Sequence, residues 1–187
     1  GGLRTPLTQA SSGSSSTVVA PLASIAGDSD TGRMQVRLSV QQLFADAPAS
    51  VFARSIDPRR FVAAFRGAGP IPALTKIELL GEPALGAQRA VHSSDGAVLH
   101  ERITAFEPGA RHAYQLSGLR PPLAWLVSKG EADWRFALSP DGGTQVRWDY
   151  LFTLTTPLVW PLAAPLLKLF MQRAMRECLQ ALAEGKH

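Results

Sequence analysis

Cysteine is all but missing from the sequence. Cys178 stands alone in 187 residues, so no disulfide can close within the chain, and the sequence suits a reducing compartment, here expected to be the cytoplasm. It falls on an apolar helical stripe with no histidine near it in sequence. That pattern reads as a small core residue rather than a nucleophile, because burial raises a thiol's pKa. Motifs for other chemistries are missing too. No HExxH or CxxC spacing supports zinc, no GxSxG offers a serine nucleophile elbow, and no GxxxxGK[ST] cradles phosphates, so neither metal nor cofactor is expected. Lys/Arg runs are absent: 19 basic residues face 15 acidic ones, and no basic helix face is interleaved with aromatics, which argues against nucleic-acid binding. An unbroken apolar run of membrane-spanning length is also lacking. LFTLTTPLVWPLAAPLLKLFM comes nearest, but Pro157, Pro161, Pro165 and Lys168 interrupt it and its first part alternates like a strand. A transmembrane segment is therefore not expected, which leaves room only for transient membrane contact.

What is present belongs to an ordinary globular chain, 45% hydrophobic and 18% charged, long enough for one domain whose core can stay partly hollow. Residues 1–33 are rich in Ser, Gly and Thr and carry neither a period of 2 nor one of 3.6. They read as a flexible or artificially added leader, with Pro21 breaking the weak apolar stretch a signal peptide would need. A single ligand-binding domain is expected over residues 34–187.

From Val36 the apolar residues Val36, Leu38 and Val40 alternate with polar ones, as in a half-buried strand. A short helix follows, with Asp46 or Ser50 as a cap, Pro48 in the first turn and Val51, Phe52 and Ile56 at helical spacing, and it ends at Pro58. RRFVAAF forms a second helical piece that sets Phe61 and Phe65 four apart, before the breakers GAGPIP. Six further strands are then predicted: 75–80, 87–93, 97–106, 111–117, 132–138 and 144–154, each bounded by Gly- or Pro-bearing turns. The last element is one long helix over 161–184, whose stripe of Leu167, Met171, Ala174, Cys178 and Leu182 must lie against something apolar.

Hairpin registers decide which side chains share a face. A three-residue Ser94-Asp95-Gly96 loop pairs Ser93 with Ala97, Val91 with Leu99 and Arg89 with Glu101, which collects Val91, Leu99, Ile103 and Ala105 inside. A turn centred on Pro108 and Gly109 pairs Phe106 with Arg111 and Ile103 with Tyr114, so Tyr114 also points inward. Trp134, Phe136 and Leu138 share one parity, as do Val146, Trp148, Tyr150, Phe152 and Leu154. His92 and His100 fall outside and His112 inside, so the three do not converge on a metal. The inner face then carries two opposed charges, Arg89 and Glu101. On an apolar face these either satisfy one another or serve as a polar handle that orients a ligand.

One strand, two short helices, six antiparallel strands and a long C-terminal helix is the order of the START-like (SRPBCC) superfamily, and the detail resembles its polyketide cyclase/dehydrase-type branch. The resemblance spans Met34 to Glu184 and rests on ADAPASVFARSIDPRRF, GEPALGAQR, HERITAFEPGARHAYQLSG and GGTQVRWDY. It implies an α+β helix-grip fold, a seven-stranded curved antiparallel sheet around the C-terminal helix, and a cavity between them that holds a hydrophobic small molecule, a lipid, polyketide or aromatic compound. The chain would then be a carrier or sensor. Ligand contacts are expected from Arg89, Glu101, Tyr114, Trp134, Trp148, Tyr150, Phe65 and Met171. The superfamily also contains cyclases and dehydratases that work in such a cavity, so the alternative is an enzyme in which Glu101, Tyr114 or Arg89 moves protons or polarises a carbonyl. The PPLAW segment is the expected lid. A third reading, a partner-binding module, would be marked by exposed apolar residues near 121–127 or 157–165.

Overall fold

The computed structural model describes Gly32 and residues 34–185, so the expected leader, Gly32 apart, lies outside the described residues. Seven strands make one antiparallel sheet: β1 (Gln35–Phe44), β2 (Leu74–Leu79), β3 (Gln88–Ser93), β4 (Val98–Glu107), β5 (Arg111–Ser117), β6 (Val127–Leu138) and β7 (Thr144–Leu154). Their spatial order is β1-β7-β6-β5-β4-β3-β2. Between β1 and β2 come α1 (Pro48–Ile56) and α2 (Pro58–Ala64), and after β7 come α3 (Trp160–Leu166), a π-helical turn (Leu167–Met171) and α4 (Gln172–Glu184). This is the helix-grip arrangement expected from the sequence. The period-2 apolar set of β7, Val146 through Leu154, is buried, and Val36, Leu38 and Val40 face it from β1. The α4 stripe of Ala174, Met175, Cys178, Leu179 and Leu182 closes the core from the other side, packed on β1 and α2.

The turns explain where the elements stop. Asp57 accepts from the backbone N–H groups of Arg59 (2.9 Å) and Arg60 (3.1 Å), so it ends α1 and caps α2 while Pro58 sets the first helical φ. Neither Asp46 nor Ser50 caps α1, whose N-cap is Ala47 without a side-chain bond. Asp46 instead pairs with Arg54, and its carbonyl accepts from Thr144 Oγ1 at 2.7 Å.

Five expectations need correction. The β4–β5 turn holds three residues, so Glu107 rather than Phe106 pairs with Arg111, while Ile103 still faces Tyr114 because the register shifts between Ile103 and Ala105. That bulge leaves Ala105 paired with Ala113, whose neighbours on either side point inward. Phe106, not Ala105, reaches the core, 5.5 Å from the ring of Phe52. Leu138 keeps the parity of Trp134 and Phe136 but ends its strand beyond the sheet's cover, and it is exposed. β6 begins at Val127, earlier than predicted, because its first inward positions carry only Gly130 and Ala132 and a register shift between Val127 and Lys129 breaks the alternation. The C-terminal helix is not continuous: Pro165 has no N–H to give the preceding turn, and the chain widens into the π turn directly after it.

Candidate functional site

Between the concave face and the C-terminal helices lies a cavity with an open mouth. Phe61 of α2 and Phe65 just after it, Val91, Leu99, Tyr114 and Leu116 of the sheet centre, Trp148, Tyr150 and Phe152 of β7, and Leu167 and Met171 of the π turn form its wall. Leu167 and Met171, at the two ends of the π turn, are four apart and so share the helical face that lines the cavity. Gly130 matters as well: a Cβ there would stand 2.9 Å from Tyr150 Cε1, so only glycine lets that ring lie flat over β6. Tyr150 in turn stacks on Phe152, with centroids 4.5 Å apart.

One charged group belongs to the inner wall. Glu101 lines the cavity and forms an ion pair with Arg89 Nε behind it, the two residues only 5% and 6% exposed. At such burial water cannot solvate either charge, so each depends on the other. Burial opposes the charge on Arg89, but the Glu101 carboxylate prevails and raises the guanidinium's pKa. Arg89 also lies 5.0 Å from the centroid of the Tyr114 ring, a cation–π contact, and its Nη2 is 3.4 Å from His112 Nε2. Burial, and then the Arg89 charge, push His112 down to about 3, so its imidazole is neutral at any ordinary pH. Burial pushes the Tyr114 and Tyr150 hydroxyls well above their usual value.

The mouth is built differently. The β3–β4 turn supplies Ser93, Asp95 and Ala97, the loop after α2 supplies Pro70, Ile71 and Pro72, and the segment between β5 and β6 supplies Leu119, Arg120, Pro122 and Leu123. Arg120 Nη1 donates to the Gly96 carbonyl at 3.2 Å and tethers the PPLAW segment to that turn. Asp95 accepts from Ser93 Oγ at 2.6 Å and from the Ala97 N–H at 3.1 Å.

Six of the eight residues singled out from the sequence stand at this wall: Glu101, Tyr114, Trp148, Tyr150, Phe65 and Met171. Arg89 and Trp134 stand one layer back. Arg89 is screened by Glu101, and Trp134 stacks on Trp148 with centroids 4.2 Å apart. The Pro70–Pro72 corner, the Asp95 turn and Arg120 were not singled out. Their only sequence signals are turn residues, which mark a loop without saying what the loop borders. The histidines do not meet: His92 lies 3.5 Å from Glu78 on the outer side while His112 is inside. Among the described residues no group of three His, Cys, Asp or Glu side chains is placed to hold a metal ion.

Residues 35–185 match the sequence model of a family described as polyketide cyclase / dehydrase and lipid transport. A search of curated proteins finds no match. Among solved structures, the Zhui aromatase/cyclase from Streptomyces sp. R1128 is similar with a TM-score of 0.63 at 16% identity, over 81% of this chain and 93% of that one. The di-domain ARO/CYC StfQ from the steffimycin biosynthetic pathway gives a TM-score of 0.63 at 12% identity, over 82% of this chain and 51% of that longer one. Ara h 8.0201 gives 0.59 at 14% identity, over 81% and 97%. At such identities the likeness is one of fold.

Proposed function

Because this chain belongs to the polyketide cyclase / dehydrase and lipid transport family, we propose that it binds an apolar small molecule, a lipid, polyketide or aromatic compound, in the cavity under α4, as a carrier or sensor rather than as an enzyme. The observation that carries this reading is the inner wall: mostly aromatic and aliphatic, with the Glu101 carboxylate as its one charged group, while Ser93, Asp95 and Arg120 stand at the mouth. Such a wall binds by apolar burial, and its few polar groups fix orientation. Proton transfer at neutral pH needs a group that titrates near 7 within reach of the substrate. The Tyr114 and Tyr150 hydroxyls are held far above that range, His112 is held far below it behind the wall, and Glu101 is committed to Arg89.

Titration of the full chain with fluorescent fatty acids, naphthols and hydroxyanthraquinones is the direct test. Saturable one-to-one binding is expected for at least one class, and it should be lost in Leu99→Trp, which fills the cavity. Absence of binding across all three classes would overturn the reading. Turnover of a bound polyketide mimic that stops in Glu101→Gln would replace it with the cyclase reading, which the aromatase/cyclase named above makes the natural alternative.

A further inference from the structure

The sheet ends in two edges, β1 and β2, and only one of them is covered. Along β1, α4 packs against the strand and Gln172 Nε2 donates to the Ser39 carbonyl at 3.0 Å. The β2 edge is met only where it begins, by the Leu74 N–H donating to the Phe65 carbonyl at 3.1 Å. Beyond that point β2 is paired with β3 on one side alone. The Leu80 N–H donates to the Gln88 carbonyl at 3.1 Å, so by alternation Lys76, Glu78 and Leu80 aim their backbone groups at β3 while Ile77 and Leu79 aim theirs outward. Among the described residues nothing takes up the outward groups of Ile77 and Leu79. An edge left open in this way is a template for another strand.

The residues along this edge select the strand that fits it. Residues 74–80 read LTKIELL. Laid antiparallel on a second copy about Ile77, Lys76 of each chain stands opposite Glu78 of the other, and Leu74 stands opposite Leu80. Ile77 then exchanges its outward N–H and C=O bonds with its own image. That makes Lys76 and Glu78 the non-hydrogen-bonded positions, where opposed side chains approach most closely. Ile77 is buried, so its neighbours Lys76 and Glu78 point to the sheet's outer face, where both are exposed. Within one chain they pair along the strand, and docking interleaves two such pairs into an alternating group of four charges. A register moved two residues either way sets Lys76 against Lys76 or Glu78 against Glu78, and parallel pairing in register does both. A lysine on an edge strand ordinarily deters pairing, but Glu78 two residues on makes this edge complementary to its own antiparallel copy. Leu79 and Leu80, 43% and 61% exposed, gain cover in the same arrangement.

We propose that two copies of the chain associate through antiparallel pairing of their β2 edges, with the two-fold axis at Ile77, so that the two sheets continue side by side. The paired stretch is short, so the association is weak and shows at high protein concentration. It does not rest on the ligand-binding reading, because neither Lys76 nor Glu78 lines the cavity.

Sedimentation velocity of the full chain from micromolar to millimolar concentration tests the proposal, and a monomer–dimer equilibrium is expected. Lys76→Glu sets two Glu pairs face to face across the axis, and Glu78→Lys sets two Lys pairs, so each variant alone should associate at least about tenfold more weakly. An equimolar mixture of the two variants restores Glu opposite Lys at both positions and should dimerise as wild type does. The double variant Lys76→Glu with Glu78→Lys reverses every charge in place and should also dimerise. Both side chains are exposed, so the melting temperature of each monomer should stay near the wild-type value. In hydrogen exchange, the Ile77 and Leu79 amides should become protected as concentration rises, while the amides already bonded to β3 change little. Wild-type protein that stays monomeric throughout, or a Lys76→Glu variant that associates as wild type does, would overturn the proposal. A mixture of the two single variants that remains monomeric would overturn it too, as would a dimer whose Ile77 and Leu79 amides exchange as fast as in the monomer.

Discussion

Arg89 and Glu101 form a pair that neither partner can leave alone. Removing the carboxylate in Glu101→Gln strands a guanidinium that is 6% exposed, and a loss of about 3–5 kcal/mol in unfolding free energy is expected. Replacing both at once, Arg89→Met with Glu101→Leu, removes the desolvation cost together with the attraction, so the double variant should return to wild-type stability or exceed it by about 1–4 kcal/mol. Urea unfolding of the three proteins decides, and a double variant less stable than Glu101→Gln would show that the pair organises the sheet. His112 adds a pH dependence. Unfolded, its imidazole titrates near 6.5; folded, burial and Arg89 hold it near 3. The unfolded chain therefore takes up the proton first as pH falls. This contribution to stability is complete above pH 6.5 and drains at about 1.4 kcal/mol per pH unit down to about pH 3. His112→Gln should lose that slope, so the stability difference between wild type and variant should narrow or reverse between pH 6 and pH 4. A constant difference across that range would contradict the assignment.

At the scale of the elements, β6 and β7 owe their fit to Gly130. Gly130→Ala brings a Cβ to 2.9 Å from Tyr150 Cε1 and must push the ring off Phe152 and into the cavity. An overpacked core of this kind costs about 1–3 kcal/mol, and here it should also weaken ligand binding, because the displaced ring occupies ligand volume. Unchanged affinity would mean that Tyr150 has another way out. The elements also show what could be read in advance. Arg89 opposite Glu101 was legible because a turn with Gly at its left-handed position fixes the register outward from it, whereas Ile103 opposite Tyr114 came from a turn pairing one residue off that the shift between Ile103 and Ala105 offsets. The bulge at Ala105 was not legible. Thr104, Ala105 and Phe106 carry no glycine or breaker, and the extra residue is imposed by Phe106 finding room beside Phe52, a contact across 54 positions of chain. The π turn left only Pro165 as its trace, and a proline within an amphipathic helix announces a disturbance without naming its form.

At the scale of the whole molecule, sheet and closing helix follow from periodicity, so the concave side and its large residues could be derived by counting parity. The cavity's boundary could not. Whether Trp134 or Trp148 touches the hollow depends on which of two stacked rings lies nearer α4, a distinction between layers that parity along a strand does not carry. The mouth is drawn by loops whose positions are set by tertiary contacts, among them the Arg120 tether to Gly96. A domain closed in this way around an apolar hollow keeps part of its stabilisation for the ligand. A ligand that binds only the folded state and is present at 100 times its Kd adds about 2.7 kcal/mol, which for a domain of this size raises Tm by roughly 5–10 °C. Calorimetric melting with the tightest compound from the fluorescent panel should show that rise in wild-type protein and none in Leu99→Trp. The shift should also grow with the logarithm of ligand concentration above Kd. A rise of equal size in Leu99→Trp would place the binding outside the cavity, since the tryptophan fills the volume the ligand would otherwise occupy.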